Sequence, residues 1–336
     1  MAGERTKKIM NAADDIVREM IEGICGAHPD HVYTHPDSWR AVIARHGPRK
    51  GKVGVVVGGG SGHEPAFVGY VGKGLADAAA IGNVFASPAP DPAEICARAV
   101  DGGEGVVFLY GNYAGDVMNF DMAAETVGLD GIEVRTVLGL DDVASAKEVE
   151  KRRGIAGGFF LFKITGAAAD RGHRLDEVER AARKSVAHMR TMGVALEPCS
   201  LPHTLKPNFT LGPDEMEIGL GIHGEPGVER GPLKPADAIT DDLLDRILAD
   251  LPLAPRDRVA VLVNGLGATS LMELYVMHRR VKQRLDDIGV AIHRSFVGEY
   301  VTSLEMAGAS VTLMQLDGEL TGLLDHPCDA CIYRQA

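Results

Sequence analysis

The chain has 336 residues, of which 45% are hydrophobic and 24% are charged, a profile typical of a globular protein with two domains or one large domain. Its net charge of −12 argues against a nucleic-acid partner, because neutralising phosphates requires clustered Lys and Arg. The charged N-terminal segment has no apolar signal core, and Lys163 interrupts the most apolar stretch, residues 157–169. We therefore expect a cytoplasmic protein that does not cross a membrane.

The first half of the chain predicts alternating helices and strands. A helix is expected over residues 11–26, where Ile16, Met20 and Ile24 recur every four residues among charged side chains. The further predicted elements are strands at 51–57, 78–85, 105–110 and 132–138, a helix near 93–100 and a helix that runs from the loop at 111–116 through 125. Continuously apolar strands separated by helices indicate an α/β fold with a parallel sheet covered on both faces.

The second half of the chain predicts another unit of the same class. A helix is expected at 174–192, and the proline-containing segment 197–202 then breaks the pattern. The elements predicted beyond it are a strand leading to His223, strands at 258–263, 290–297 and 310–316, and a helix at 270–285. We predict two α/β domains, residues 1–192 and 193–336, each with a mostly parallel or mixed sheet flanked by helices.

Four glycine-rich loops follow predicted strands, at 58–64, 82–87, 111–116 and 221–225. In open α/β sheets ligands bind at the carboxyl ends of the strands, and glycines let the backbone approach a small ligand. The loop at 58–64 lacks the third glycine of the dinucleotide fingerprint, and the sequence has no Gly-Lys-Ser/Thr phosphate loop. A small polar organic ligand is therefore favoured, with a phosphate cradled by the glycines of 58–62 as the alternative.

Two histidines stand among these glycines. His223 is flanked by glycine-containing sequence that would leave its ring unobstructed, and a neutral imidazole is a good nucleophile near pH 7. His63 and Asp116 are candidate proton acceptors. Each has a structural alternative, because His63 could cap a following helix and Asp116 could be a helix N-cap. The two glycine-flanked histidines predict one pocket built from both.

The cysteines and the remaining histidines give weaker signals. Five scattered cysteines do not resemble a disulfide framework. Cys328 and Cys331 have the spacing of a metal or redox motif, but no second ligand pair lies at suitable spacing nearby. His28, His31 and His35 fall in a polar loop, where we expect solvated side chains. No metal site is predicted.

Three segments resemble a known family. GGGSGHEP (58–65), NYAGD (112–116) and GIHGEPG (221–227) closely resemble the substrate-binding subunit of the dihydroxyacetone kinase family, with further matches at 100–105, 264–269 and 273–275. The resemblance covers nearly the whole chain. It implies two α/β domains and a homodimer.

The family also implies roles for the candidate residues. The histidine that matches His223 adds through a ring nitrogen to the ketone of a short ketose such as dihydroxyacetone and forms a covalent hemiaminal. The residues that match His63 and Asp116 contact substrate hydroxyls and assist proton removal from the attacking oxygen. The positions expected to bind substrate are Gly60, Ser61, Ser87, Gly111 and Asn112.

The resemblance places the nucleotide elsewhere. In this family the nucleotide and its magnesium are carried by a separate helical domain or subunit, so we expect no cofactor on this chain and ATP or ADP with Mg²⁺ on a partner. Because the chain ends at Ala336, soon after the second predicted unit, it resembles the two-component form. The phosphoryl donor is either a tightly held nucleotide recharged by the phosphotransferase system or exchangeable ATP.

One departure from the family pattern concerns the size of the substrate. Many phosphotransferase-linked members have a lysine where this chain has Gly111, and its loss opens space for a larger ketose such as erythrulose. Another alternative is a ketose-sensing coactivator of transcription, although the presence of His63, Asp116 and His223 favours catalysis. A nucleotide-dependent oxidoreductase is disfavoured by the incomplete fingerprint.

Overall fold

A computed structural model describes residues 6–336. The eight α-helices within this range are α1 (Ile16–Ala27), α2 (Pro90–Val100), α3 (Ala114–Gly128), α4 (Gly158–Asp170), α5 (Leu175–Ala187), α6 (Ala236–Asp250), α7 (Leu271–Asp287) and α8 (Gly318–Leu324). Within residues 6–336, no helix combines the length and apolar character needed to cross a bilayer.

Fifteen β-strands form three sheets over the same described range. They are β1 (Val32–His35), β2 (Ser38–Ala44), β3 (Gly54–Ser61), β4 (Gly72–Lys73), β5 (Ala78–Val84), β6 (Val106–Gly111), β7 (Val134–Gly139), β8 (Met189–Glu197), β9 (Glu215–Ile218), β10 (Glu229–Pro232), β11 (Arg258–Gly265), β12 (Ala291–Gly298), β13 (Ala307–Leu316), β14 (Cys328–Ala330) and β15 (Arg334–Gln335).

The chain divides into two compact units that are each built from separate segments. The first unit contains residues 9–139, 158–186 and 319–336, and the second contains residues 6–8, 140–157 and 187–318. This division differs from the predicted boundary between 192 and 193. Segment 140–157 hydrogen-bonds to β8, with Val143 N donating to Thr191 O at 3.1 Å, while β14 pairs with β4. Such long-range pairing is not visible in local sequence patterns.

The first unit has a six-stranded sheet in the order β1-β2-β5-β3-β6-β7. Neighbours from β5 to β7 are parallel, whereas β1 and β2 add an antiparallel edge. Alternate strand residues such as Val56 and Phe108 pack with Phe120 of α3 and with α2, and α4 contacts β3 and β6. The predicted α/β class, with a mostly parallel or mixed sheet flanked by helices, is confirmed.

The second unit is more antiparallel. Its sheet order is β10-β9-β8-β13-β11-β12, and only β11 and β12 run parallel. Helices α6 and α7 bury their apolar faces against it. The helix predicted at 174–192 ends at Ala187, because Met189 begins β8 and pairs with Met314. Helix α4 was not predicted, since a helix buried on all sides lacks the apolar–polar alternation that marks a surface helix.

Candidate functional site

Three of the glycine-rich loops lie at one edge of the sheet in the first unit. They follow β3, β5 and β6, which are adjacent and parallel, so their carboxyl ends point the same way. This is where an open α/β sheet presents a ligand site. All the site residues predicted before residue 192 belong to these loops or to the strand and helix ends beside them.

His63 is buried in the loop after β3. Its residue is 2% exposed, and its ring stacks on Phe85, with centroids 5.0 Å apart. Phe85 has a φ of +53°, a left-handed conformation that is uncommon for a bulky residue and marks a constrained loop. Ser61 Oγ donates to Gly82 O at 2.9 Å and joins the two loops. The next helical segment is a short 3₁₀ turn whose N-cap is Phe67, so the interpretation of His63 as a helix cap is wrong.

Asp116 lies in the first turn of α3 and is 6% exposed. The N-cap of that helix is Tyr113, so the interpretation of Asp116 as the N-cap is also wrong. A carboxylate in the first turn is stabilised by the positive end of the helix dipole. A Cβ at Gly115 would lie 2.7 Å from Ser87 Oγ, which shows how closely the loop after β5 approaches this turn.

The predicted substrate-binding glycines provide room for close backbone packing. A Cβ at Gly60 would lie 2.8 Å from the backbone nitrogen of Ala86, so a larger residue would push the loops after β3 and β5 apart. Gly111 ends β6 opposite Gly139 of β7, and Asn112 N donates to Gly139 O at 3.3 Å. The loops after β3, β5 and β6 are thus brought to the same sheet edge.

His223 belongs to the second unit and lies in the loop after β9. That strand ends at Ile218, earlier than expected, because Gly219 has a φ of +78°. The loop is closed by a bond from Gly221 N to Glu225 O at 2.9 Å. Asn208 Nδ2 donates to His223 O at 3.1 Å. The side chain of His223 is 25% exposed, so its ring is partly accessible within a constrained loop.

Glu225 determines the protonation pattern of this ring. His223 Nδ1 lies 3.0 Å from Glu225 Oε1, and His223 N donates to Glu225 Oε2 at 3.0 Å. Burial alone would raise the pKa of Glu225, but the hydrogen bond and charge of His223, together with Arg153, lower it to about 2. An ionised carboxylate can only accept, so Nδ1 carries the hydrogen and Nε2 of a neutral ring carries the lone pair. Sequence reasoning gave Glu225 no role, although it lies in the GIHGEPG segment.

The tail cysteines are buried thiols. Cys328 and Cys331 are free and buried, and burial raises the pKa of Cys331 to about 12, which disfavours the reactive thiolate. In residues 6–336, no group of three or more His, Cys, Asp and Glu side chains has a metal-binding arrangement.

The prediction of a solvated His31 is wrong, because its side chain is 15% exposed and Nε2 lies 3.1 Å from Asp329 Oδ1.

Most of the chain matches one family model. The Dak1 domain model matches residues 22–332. This chain belongs to the Dak1 family.

The names of this Dak1 chain's relatives indicate different substrates or roles. The dihydroxyacetone-binding subunit DhaK of PTS-dependent dihydroxyacetone kinase 2 from Listeria innocua is 45% identical over 98% of this chain and 99% of its own length. The D-erythrulose kinase of Mycolicibacterium smegmatis is 44% identical over 98% of this chain and 56% of its own length. The solved structure of the dihydroxyacetone kinase operon co-activator Dha-DhaQ is 34% identical over 94% of this chain and 98% of its own, with a TM-score of 0.88.

Proposed function

We propose that this chain is the substrate-binding subunit of a dihydroxyacetone kinase, which captures a short ketose covalently and presents its hydroxyl for phosphorylation. The observation that carries the proposal is the contact between His223 Nδ1 and the Glu225 carboxylate. It gives a histidine in a glycine loop the tautomer needed for attack through Nε2. The 45% identity to a dihydroxyacetone-binding subunit over 98% of this chain and 99% of that subunit supports the same function.

In the proposed reaction, the lone pair on His223 Nε2 forms a bond to the ketone carbon. The C=O π electrons move to oxygen, and that oxygen takes up a proton, while the ring, which becomes cationic on attack, gives up its Nδ1 hydrogen. The product is a neutral hemiaminal, with no net gain or loss of protons. The ionised carboxylate of Glu225 stabilises the cationic ring as it forms. An alcohol such as glycerol has no carbonyl to attack.

His63 and Asp116 are proposed to handle the proton of the attacking hydroxyl. Both are buried, and the nearby Gly60 and Gly115 pack closely against the loop after β5. A carboxylate at a helix start is a suitable hydrogen-bond acceptor for a sugar hydroxyl. Gly60, Ser61, Ser87, Gly111 and Asn112 are proposed to line the ketose-binding loops. Removing the hydroxyl proton makes the oxygen a better nucleophile toward the incoming phosphoryl group.

The phosphoryl group is proposed to come from a second polypeptide. A helical subunit would carry ATP or ADP with Mg²⁺. The similarity to a PTS-dependent kinase subunit of Listeria innocua favours recharging of that nucleotide by a phosphotransferase-system donor. We propose that this chain acts as a homodimer with that partner. Phosphoryl transfer is then mainly a matter of positioning two bound reactants.

The proposal is tested by following the ketone carbon directly. Dihydroxyacetone labelled with ¹³C at the carbonyl should lose its ketone signal and gain a protein-bound tetrahedral carbon signal when mixed with this chain. His223→Gln should abolish the new signal, because glutamine has no nucleophilic ring nitrogen. A tetrahedral signal of equal intensity with His223→Gln would contradict the assignment of the nucleophile.

A four-carbon ketose is a second candidate substrate. The D-erythrulose kinase relative is nearly as similar as the dihydroxyacetone-binding subunit, and position 111 is a glycine, which lacks the side chain that a lysine would place there. Turnover of dihydroxyacetone and both erythrulose enantiomers, with the cognate nucleotide subunit, discriminates between them. A strong preference for dihydroxyacetone would exclude the larger substrate.

A ketose-sensing role is supported by the likeness to the co-activator Dha-DhaQ. A sensor and a kinase subunit would both form the tetrahedral adduct. Only the kinase would yield phosphorylated ketose when a nucleotide-carrying subunit is added, so an adduct without product would favour the sensor.

A further inference from the structure

A buried ion pair lies directly behind Glu225. Arg153 Nη1 is 3.6 Å from Glu225 Oε2. The same guanidinium contacts Asp142 Oδ2 through Nε at 3.0 Å and through Nη2 at 2.8 Å. With the contact between Glu225 and His223, these side chains form a continuous row of alternating acidic and basic groups within the second unit.

The outer end of this row is fixed by the segment 140–157. Asp142 N donates to Arg153 O at 3.1 Å, and Arg153 N donates to Ser145 Oγ at 2.9 Å. Ser145 Oγ in turn donates to Asp142 O at 2.8 Å. Asp142 Oδ1 also accepts from Ala144 N at 3.0 Å. The guanidinium is therefore presented from a closed loop rather than from a mobile surface segment.

Gly221 allows the row to touch the loop that carries His223. A Cβ at this position would lie 2.2 Å from Glu225 Oε2 and 2.3 Å from Arg153 Nη1. Both charged groups thus pack against the backbone two residues before the histidine. Any side chain at 221 would displace them.

The burial of this pair is not explained by stability. Asp142 is 2% exposed and the Arg153 side chain 14%. Burial raises the pKa of Asp142 to about 6, although Arg153 opposes the shift. Removing such charges from water costs about as much as their attraction returns. The arrangement does fix geometry, because Nε and Nη2 of Arg153 both contact Asp142 Oδ2, which leaves Nη1 facing Glu225.

We propose that Arg153 and Asp142 are positioning residues for His223: Asp142 orients Arg153, and Arg153 holds Glu225 so that the Nδ1 hydrogen and the Nε2 lone pair of His223 stay in place for ketose capture. This inference rests on the proposed role of His223 as the nucleophile. In this proposal neither residue contacts the ketose, and their effect passes through Glu225.

The test compares Arg153→Gln and Arg153→Lys with Arg284→Gln. Arg284 is a matched control, because it also lies in the second unit, bridges Asp241 and Asp245 at 2.7 Å each, and has a side chain 22% exposed. ¹⁵N spectra of the histidine rings report the tautomer of His223 without any ketose. Titration with carbonyl-labelled dihydroxyacetone reports the affinity of the adduct.

We expect Arg153→Gln to mix the two His223 tautomers and to weaken adduct formation about tenfold, because side chains in one contact network are coupled on this scale. Arg153→Lys should restore part of the affinity, because it keeps the charge but not the fork. Arg284→Gln should leave both readouts unchanged. Asp142→Asn should act in the same direction as Arg153→Gln and less strongly.

The outcomes separate this inference from the proposed function. An unchanged tautomer and unchanged adduct affinity in folded Arg153→Gln, with a normal adduct in the parent chain, would overturn only the positioning role. If Arg153→Gln does not fold, Arg153→Lys and Asp142→Asn decide, and parent-like tautomer and affinity in both would overturn it. No adduct in the parent chain would refute the proposed function itself. The ¹⁵N spectra would still show whether Arg153 and Asp142 control the tautomer of His223.

Discussion

At His223 the chemistry of the ring depends on a carboxylate two residues away. The Glu225 carboxylate accepts from both the ring and the backbone nitrogen of His223, so side chain and loop are oriented by one group. The sequence identified the histidine because glycines around a polar residue at a strand end are unusual. It did not identify Glu225 or Arg153 as partners, because Arg153 reaches the loop from a distant segment through a contact that only the folded chain creates.

Asp116 provides a direct test of the proposed proton transfer. Asp116→Asn should retain the ketose adduct and lower turnover with the partner subunit by about 100-fold or more, the usual contribution of a general base. Asp121→Asn, on the exposed part of the same helix, is the matched control and should keep parent activity. Turnover of Asp116→Asn within a few-fold of the parent chain would show that this carboxylate has no part in proton removal.

A substitution at Gly221 tests whether Glu225 and Arg153 must pack against the loop that carries His223. Gly221→Ala should change overall stability little, because the atoms nearest to the new Cβ belong to the ends of movable side chains. It should nevertheless weaken ketose capture about tenfold by displacing Glu225 and Arg153. Gly231→Ala is the control, since a Cβ there meets nothing within 4 Å. Equal adduct affinities in the two variants, measured by titration with labelled dihydroxyacetone, would count against the packing argument.

At the level of elements, prediction succeeded where a residue pattern has a local cause. Helix α7 begins where expected because Ser270 and Glu273 form a capping box, and its buried residues recur on one face. Strand β3 was recognised from a continuous apolar run. Helix α4 was missed because its residues 159–169 are buried on every face of the helix. Helix α5 was extended too far because the polar and apolar residues after Ala187 do not distinguish a helix from the start of β8.

The contact between α8 and α5 predicts a pH-dependent contribution to stability. Glu319 accepts from Arg180 and Lys184, and these hydrogen bonds lower its pKa to about 2. A lowered carboxyl pKa gives stability that is present above the unfolded value, 4.5, and is lost as the pH falls toward 2. Glu319→Gln should therefore reduce the free energy of unfolding at pH 7 by about 1 kcal/mol, allowing for solvent screening.

Urea unfolding between pH 7 and pH 3 measures this contribution. The difference between Glu319→Gln and the parent chain should narrow as the pH falls below 4.5. The exposed Glu104 supplies a control, Glu104→Gln, that should show no such trend. A difference that stays constant across this pH range would mean that the ion pairs of Glu319 do not account for it.

At the scale of the whole molecule, the order of segments along the chain differs from their grouping in space. Residues 140–157 belong with β8, and residues 319–336 belong with the first sheet's unit. A sequence reading divides a chain at a change of pattern, which explains the expected boundary near 193. The sequence pattern does not indicate that the C-terminal segment packs in the same unit as the N-terminal strands, because no short window of sequence specifies the partner of β14.

This grouping predicts the result of removing the C-terminal segment. Leu320, Leu323 and Leu324 are at most 1% exposed, and Lys163 of α4 donates to the carbonyls of Leu323 and His326. Deleting residues 319–336 removes three buried leucines, each of which contributes about 2–5 kcal/mol, against a total stability of about 5–15 kcal/mol for a typical domain. The first unit should therefore unfold, or melt at a much lower temperature.

The control for this deletion is a chain shortened only by Ala336, which keeps α8, β14 and β15 and should melt close to the parent. Differential scanning calorimetry with ¹⁵N spectra of assigned first-unit amides identifies which part of the chain is lost. The signals of β3 and β6 should disappear from the folded spectrum of the 319–336 deletion, while those of β11 and β13 persist, because the second unit keeps its own core. If the β3 and β6 signals remained and the melting temperature were unchanged, the C-terminal segment would contribute nothing to the first unit, and its buried leucines would have to be dispensable for the packing of α4.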